Sequence, residues 1–183
     1  MEPIYIIVAI VAILIIVIAL VMITNYNKFQ YSSIKISEAE NNIDILLEKK
    51  IDYISRFIPL IKENTKEDCK LLEKVNLLKN KSYNNFELNK ELYDYNKELR
   101  EIIDTNEKIL KIEAVNNLYQ EYLDNEEDLE ASKDYYNDNV TEYNKLVHLF
   151  PSNIVGFLFK FKHKEFYIDE KEEIFEILKE KKD

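Results

Sequence analysis

One uninterrupted apolar run limits what this chain can fold into more than any other feature of its sequence. From Ile4 to Ile23 it reads IYIIVAIVAILIIVIALVMI, without a charge. About 20 residues that each rise about 1.5 Å span the roughly 30 Å hydrocarbon core of a bilayer. The run therefore predicts a transmembrane helix, and because no second run of this length follows, the chain is expected to cross once.

A cleaved signal peptide is the alternative interpretation of this run. Such a peptide carries Lys or Arg ahead of a shorter apolar core and has small residues at its cleavage site. Here only Glu2 and Pro3 separate Met1 from the run, and no A-x-A sequence follows it. We therefore expect an uncleaved anchor over residues 1–24.

The cationic residues nearest the anchor set its expected orientation. Lys28 and Lys35 follow the run, and no Lys or Arg precedes it. Because cytoplasmic flanks are enriched in Lys and Arg, the body is predicted to lie in the cytoplasm, attached to the cell membrane. A single cysteine, Cys69, agrees with a reducing compartment, which does not select for disulfides.

Beyond Thr24, apolar residues recur at steps of three and four, the spacing of helices that bury one stripe. Residues 25–169 are therefore predicted to form a bundle domain. The expected fold class is all-α, with an N-terminal transmembrane helix, a long-helix antiparallel bundle and a charged amphipathic C-terminal tail over residues 170–183. The first stripe is Ile43, Leu47, Ile51, Ile54, Ile58 and Ile61, continuing at Leu71, Leu72, Val75 and Leu78; the second is Leu88, Leu92, Tyr95, Leu99 and Ile102; the third is Val115, Leu118, Tyr122, Leu129, Tyr136, Val140, Tyr143 and Val147.

Polar residues and a proline mark where the helices are expected to begin or bend. The Asn-rich residues 80–85 predict a break between the first two helices. Asp104 with Glu107 is typical of a helix N-cap and its return partner. Pro59 removes a backbone hydrogen bond and is expected to bend the first helix.

The sequence after the third stripe is interpreted as a structural stop and not as an active site. Pro151 disfavours helical geometry in the residue before it and should end the third helix. The Ser152 hydroxyl or the Asn153 amide can then bond backbone groups that the helix end leaves unpaired. Phe150 is expected to be held against the bundle.

Composition excludes several chemistries. With one glycine the chain cannot contain the GxxxxGK[ST] or GxGxxG loops of nucleotide-binding enzymes. One cysteine and two histidines, His148 and His163, cannot form a structural zinc site. A net charge of −10 argues against a nucleic-acid partner, because phosphate binding depends on clustered Lys and Arg. No spacing places a nucleophile beside an acid/base group, so we expect no enzymatic activity and no cofactor.

The third stripe runs into a spaced motif, YNxxVxxYN followed by FPSNIV. Its residues are Tyr136, Asn137, Val140, Tyr143, Asn144, Phe150, Pro151, Ser152, Asn153, Ile154 and Val155. Together with Tyr26 and Asn27 after the anchor, Asp44 and Asp52 on the first stripe's helix, and Lys133, this motif resembles the LemA family of bacterial membrane-anchored helical proteins. The resemblance covers roughly residues 1–170.

The resemblance implies a helical bundle outside the membrane, single-span anchoring and no established enzymatic activity. Some members are associated with a membrane zinc protease, and one branch takes part in building magnetosome membranes. The chain departs from the family's pattern where members carry His-Glu, since it has Glu67-Asp68 there. It also has Phe157 and Lys160 in place of glycines of the tail.

Charged and polar residues near the seams suggest how the helices align. Asp44 or Asp52 on the first helix could pair with Lys133 on the third, matching charged positions of the family, and such a pair would specify alignment more than stability. Asn125 falls on the third stripe. There it either fixes the register of the bundle or lies at a wet flank of the seam.

Aromatic residues follow the third helix and alternate with lysines. Phe157, Phe159 and Phe161, with Lys162, could contact a membrane interface or a partner, or could fold back to close the end of the bundle. If the first helix leaves the membrane, the second returns and the third leaves again, Phe150 lies far from the bilayer. That direction favours closure of the bundle.

These observations favour a non-enzymatic scaffold or adaptor for other membrane proteins, and the resemblance adds a membrane protease as a partner. One alternative is a membrane-shaping protein whose tail binds lipid, and a less favoured one is a metal-dependent hydrolase. The sequence leaves homo-oligomerisation and the identity of partners open.

The orientation of the anchor can be tested with protease added to intact cells. Because Lys28 and Lys35 predict a cytoplasmic body, the body should resist digestion until the cells are permeabilised. Residues 1–23 should also remain on the mature protein, as mass spectrometry of its N-terminal peptide would show. Digestion of the body in unpermeabilised cells would contradict the predicted orientation and indicate a body outside the cytoplasm.

Overall fold

The computed structural model describes residues 3–80 and 83–167 of the chain. Within them the α-helices are α1 (Pro3–Asn64), α2 (Asn85–Thr105), α3 (Glu113–His148) and α4 (Ser152–Phe159), and 3-10 helices occupy Leu72–Asn80 and Glu107–Lys111. No strand occurs among these residues, which confirms the all-α prediction. The predicted tail over residues 170–183 lies outside the described residues.

The chain forms two compact units. The N-terminal unit contains residues 3–38 and 136–166, and the central unit contains residues 39–80, 83–135 and 167. Both α1 and α3 contribute residues to each unit. The predicted bundle domain over residues 25–169 draws on both.

In the central unit α1 and α3 run antiparallel. The Asn125 side chain donates to the Leu46 carbonyl at 3.2 Å, and Phe57 packs edge-on against Tyr119 with ring centroids 6.4 Å apart. Rising numbers on α1 therefore meet falling numbers on α3. Asn125 is buried, so it lies in the seam and not at a wet flank.

Helix α2 runs in the same direction as α1. At its start Asn85 donates to the Glu40 carbonyl at 3.0 Å, and farther along Asn96 bonds Glu126, the ion-pair partner of Lys50 on α1. The expectation that the second helix returns toward the start of the first is therefore wrong. The segment between α1 and α2 brings the chain back toward Glu40 of α1. Helix α2 then runs parallel to α1, and α3 runs antiparallel to it.

The first stripe does not continue as one helix to Leu78, because α1 ends at Asn64. The Thr65 N–H donates to the Ile61 carbonyl at 2.8 Å, as in an α-helix, and the Thr65 hydroxyl donates to the same carbonyl at 2.9 Å, a side-chain bond that competes with helical bonding. The apolar residues beyond it are three apart, which is the period of a 3-10 helix. Those buried residues are Leu72, Val75 and Leu78.

A 3-10 helix ends at Asn80 and α2 begins at Asn85, which agrees with the predicted break, and α2 has an N-cap that the sequence analysis did not identify. Asn84 accepts the Glu87 N–H at 2.9 Å, and Glu87 accepts the Asn84 N–H at 3.2 Å, which makes a capping box. Asp104 lies in the last turn of α2, so its predicted role as an N-cap is wrong. Pro59 lies within α1, which continues to Asn64.

Leu99 provides a test of the packing of α2. It is fully buried, so Leu99→Asp would place a carboxylate in the core and consume much of the about 5–15 kcal/mol that holds a typical domain together. Thermal unfolding of the full chain in detergent, followed by circular dichroism, should show a large drop in melting temperature. Leu77→Asp is the matched control because Leu77 is 58% exposed; equal melting temperatures for the two variants would contradict this packing.

Candidate functional site

The first turns of α1 expose apolar side chains. Residues 3–21 are all exposed, and α1 is the one helix in the described ranges that is long and apolar enough to cross a membrane. At the end of the apolar run Thr24 donates to the Leu20 carbonyl and Asn25 donates to the Val21 carbonyl, both at 2.8 Å. These bonds satisfy polar side chains within the helix, as is needed where a helix leaves a hydrocarbon layer.

Aromatic rings hold the end of α4 and the residues that follow it against α1 in the N-terminal unit. Tyr26 packs on Phe159 with ring centroids 4.8 Å apart, and the buried Phe29 stacks on Phe161 at 4.4 Å. Tyr143 of α3 meets Phe29 edge-on at 5.5 Å. Phe159 and Phe161 therefore fold back onto α1, as the closure interpretation expected.

Two motif residues of α3 bind the backbone of the segment that follows α4. The buried Asn144 donates to the Lys164 carbonyl and accepts the Lys164 N–H, both at 2.9 Å. The Tyr136 hydroxyl donates to the Glu165 carbonyl at 3.1 Å. Lys164 lies outside any helix, so its N–H and carbonyl have no helical partners. The Asn144 side-chain amide bonds both groups and thereby takes the place of those partners.

The FPSN segment ends α3, as predicted, and Ser152 satisfies the helix end. The buried Ser152 hydroxyl donates to the Leu149 carbonyl at 2.7 Å. The side-chain oxygen Oδ1 of Asn153 is buried without a hydrogen-bond partner, so it takes no part in capping. Of the two predicted capping side chains, the Ser152 hydroxyl is therefore the one that bonds a carbonyl at the end of α3.

Phe150 is not held against the bundle, because its side chain is 79% exposed. The expectation that it lies far from the apolar run is also wrong. Pro151, the next residue, lines a shallow depression together with Leu20, Val21 and Thr24. The cause is the direction of α3, which returns along α1 to the end of the apolar run.

A buried ion pair joins α1 to α3 in the central unit. Lys50 Nζ lies 2.9 Å from Oε1 and 3.1 Å from Oε2 of Glu126. Asn96 of α2 donates to the same carboxylate at 2.9 Å, and Arg100 lies 3.7 Å from it. Tyr122 in turn donates to the Asn96 side-chain oxygen. Three helices therefore converge on one carboxylate.

Burial dominates the electrostatics of this cluster. It lowers the pKa of the Lys50 ammonium, although the Glu126 carboxylate acts in the opposite direction. Burial likewise raises the pKa of Tyr122, and Glu126 adds to that shift. Because desolvation outweighs attraction at Lys50, the pair specifies which residues of α1 and α3 face each other more than it adds stability.

The interhelical pairs predicted from the sequence are not the ones that form. Lys133 pairs with Glu130 on its own helix at 2.8 Å, while Asp44 and Asp52 are exposed. The partner that forms the buried interhelical pair is Glu126, which lies in a run of acidic residues with Glu127 and Asp128. Its position four residues after the buried Tyr122 was the signal for an inward-facing carboxylate.

The remaining predicted residues are spread over the N-terminal unit. Asn27, Phe157 and Lys162 are exposed, and Asn137 is half-buried. The rings of His148 and His163 lie 5.8 Å apart. Among the described residues no group of three or more His, Cys, Asp or Glu side chains is placed to hold a metal ion.

Together these features define an all-α bundle protein with an N-terminal apolar helix of membrane-spanning length. A model of the LemA family matches residues 39–177, which is more than half of the chain. The chain belongs to the LemA family. No curated protein and no solved structure matches it.

The ion pair predicts a non-additive response to substitution. Glu126→Leu leaves the buried Lys50 ammonium without its anion and should lower the free energy of unfolding by about 3–5 kcal/mol. Lys50→Met with Glu126→Leu removes both charges and should recover most of that loss. Urea unfolding of the three variants measures the coupling; a double variant as unstable as Glu126→Leu would contradict the pairing.

Asn144 predicts a local effect on the tail. Asn144→Ala leaves the Lys164 N–H and carbonyl unpaired, so hydrogen exchange at residues 160–167 should accelerate and stability should fall by about 1–3 kcal/mol. Asn144→Asp keeps the acceptor and loses the donor, and it should show a partial effect. Asn117→Ala is the control, because Asn117 lies on an exposed face of α3. Equal hydrogen exchange at residues 160–167 in Asn144→Ala and Asn117→Ala would show that Asn144 does not hold this segment.

Proposed function

We propose that this chain is a single-pass membrane-anchored protein whose helical bundle acts as a non-enzymatic scaffold or adaptor for other membrane proteins. The observation that carries the proposal is the construction of α1. Its first turns expose only apolar side chains, and its later turns supply buried residues to both units. One continuous helix can therefore serve as anchor and as core, which holds a folded body at the membrane surface.

The exposed apolar residues of the central unit support a docking role. Ile45, Leu77 and Tyr93 are 53%, 58% and 43% exposed. Ile45 lies between two grooves of about 410 and 560 Å³ that flank α1. Large apolar side chains beside shallow grooves suit contact with another helix or chain better than enclosure of a small substrate.

The competing proposal, a metal-dependent hydrolase, requires His and carboxylate ligands that converge on a pocket. The cluster at Lys50 and Glu126 offers one carboxylate already shared among a lysine, an asparagine and an arginine. This chemistry favours alignment of helices over catalysis. The same proposal places the body on the cytoplasmic side of the membrane, because Lys28 and Lys35 follow the apolar run.

Photo-crosslinking in intact cells tests the adaptor role. A benzophenone amino acid placed at Ile45 or Leu77 of the full chain should give discrete adducts with membrane proteins, because these side chains face outward. The controls carry the same amino acid at Glu63 or Lys74, which are exposed and charged and line neither groove. Adducts that are absent at Ile45 and Leu77, or equally strong at the control positions, would contradict a specific docking surface.

A further inference from the structure

Helix α4 carries an apolar face that the described part of the chain leaves uncovered. Phe157 and Leu158 lie three and four residues after Ile154, so the three side chains share one side of the helix. Phe157 is 85% exposed, and Phe150 in the turn before α4 is 79% exposed. Side chains of this size are rarely left in water as a group.

The opposite side of α4 is fixed against α1. Ser152, Val155 and Gly156 are buried there. A Cβ added at Gly156 would lie 3.3 Å from the Phe29 ring, so the absence of a side chain allows α4 to approach this closely. The exposed face therefore belongs to an ordered helix with a defined orientation in the N-terminal unit.

The start of α4 lies at the end of the apolar run. Pro151 lines one depression with Leu20, Val21 and Thr24, and the run ends at Ile23. At a rise of about 1.5 Å per residue, these three α1 residues lie within about 6 Å of the end of the apolar run. The polar headgroup region on each side of a bilayer has a similar thickness, roughly 5–8 Å.

The local charge is opposite to that of the whole chain. From Pro151 to Tyr167 the sequence contains three lysines and one glutamate, whereas the net charge of the protein is −10. Lys28 lines the same depression as Pro151, and Lys160 follows α4 directly. Lysines beside an exposed apolar face complement a surface that is apolar inside and anionic outside.

We propose that α4 is a second membrane contact, which lies in the interfacial layer of the bilayer that α1 crosses. Phe150, Ile154, Phe157 and Leu158 enter among the acyl chains, and the neighbouring lysines face anionic lipid headgroups. This inference rests on the proposed function, because it requires α1 to be in the bilayer. It adds a surface contact that sets the tilt and rotation of the bundle on its anchor.

Spin-label accessibility in the full chain tests this contact. With Cys69 replaced by Ala, a nitroxide is attached at Phe157→Cys, at Ile13→Cys within the apolar run or at Leu77→Cys on the central unit. Each variant is reconstituted in vesicles of phosphatidylcholine and phosphatidylglycerol. Labels at Phe157 and Ile13 should collide more with oxygen than with a water-soluble nickel chelate. The label at Leu77, an apolar residue of the central unit that is 58% exposed, should do the reverse.

The outcomes separate this inference from the proposed function. Nickel access at Phe157 with oxygen access at Ile13 would overturn the interfacial contact and leave the anchor intact. Nickel access at Ile13 would overturn the anchor itself. Dipolar broadening at Phe157 that disappears on dilution with unlabelled chain would show a second copy on this face, and would also overturn the contact.

Lipid charge provides a second measurement on the same samples. Omitting phosphatidylglycerol removes the partners of the lysines, so the Phe157 label should shift toward nickel access while the Ile13 label stays unchanged. Identical accessibility of the Phe157 label in both lipid mixtures would overturn the role assigned to the lysines.

Discussion

Burial of one stripe of α1 against α3 is the interaction on which the rest of each unit depends. In the central unit Phe57 packs on Tyr119 and Tyr122, and in the N-terminal unit Phe29 packs on Tyr143. The shorter elements then cover this pair of helices, because a single seam between two helices leaves much of each stripe in water. Buried apolar residues of α1 begin at Phe29, within two turns of the end of its apolar run, so the core and the candidate anchor share one continuous backbone.

Apolar burial supplies stability, and a few buried polar groups select one arrangement. Asn125 reaches the Leu46 carbonyl, Lys50 reaches Glu126, and Asn144 holds both backbone groups of Lys164. Each of these bonds forms only in one register, and a slip by one turn would leave a buried donor or charge unpaired. The lowered pKa of Lys50 agrees with this division of roles, because that residue is held inside despite the cost of its desolvation.

The sequence predicts the helical stripes well because their period follows from the geometry of the helix itself. The core positions Leu99 and Tyr143 were predicted in this way and are confirmed, and the end of α3, predicted from Pro151, is confirmed as well. Topology was mispredicted because stripes carry no direction: the return between α1 and α2 is a segment whose three-residue period was taken for more helix. The carboxylate of Glu126 was missed for a similar reason, since a run of acidic residues hides the one that faces inward.

Extraction of membranes with alkaline carbonate tests the central claim, that α1 holds the helical bundle to a bilayer. This treatment releases peripheral proteins and leaves chains that cross the hydrocarbon core. The full chain should stay in the membrane pellet, and a variant with Ile13→Asp and Ile16→Asp should move to the supernatant, because two carboxylates in the run are costly to place in lipid. Release of the unaltered chain into the supernatant would contradict the account.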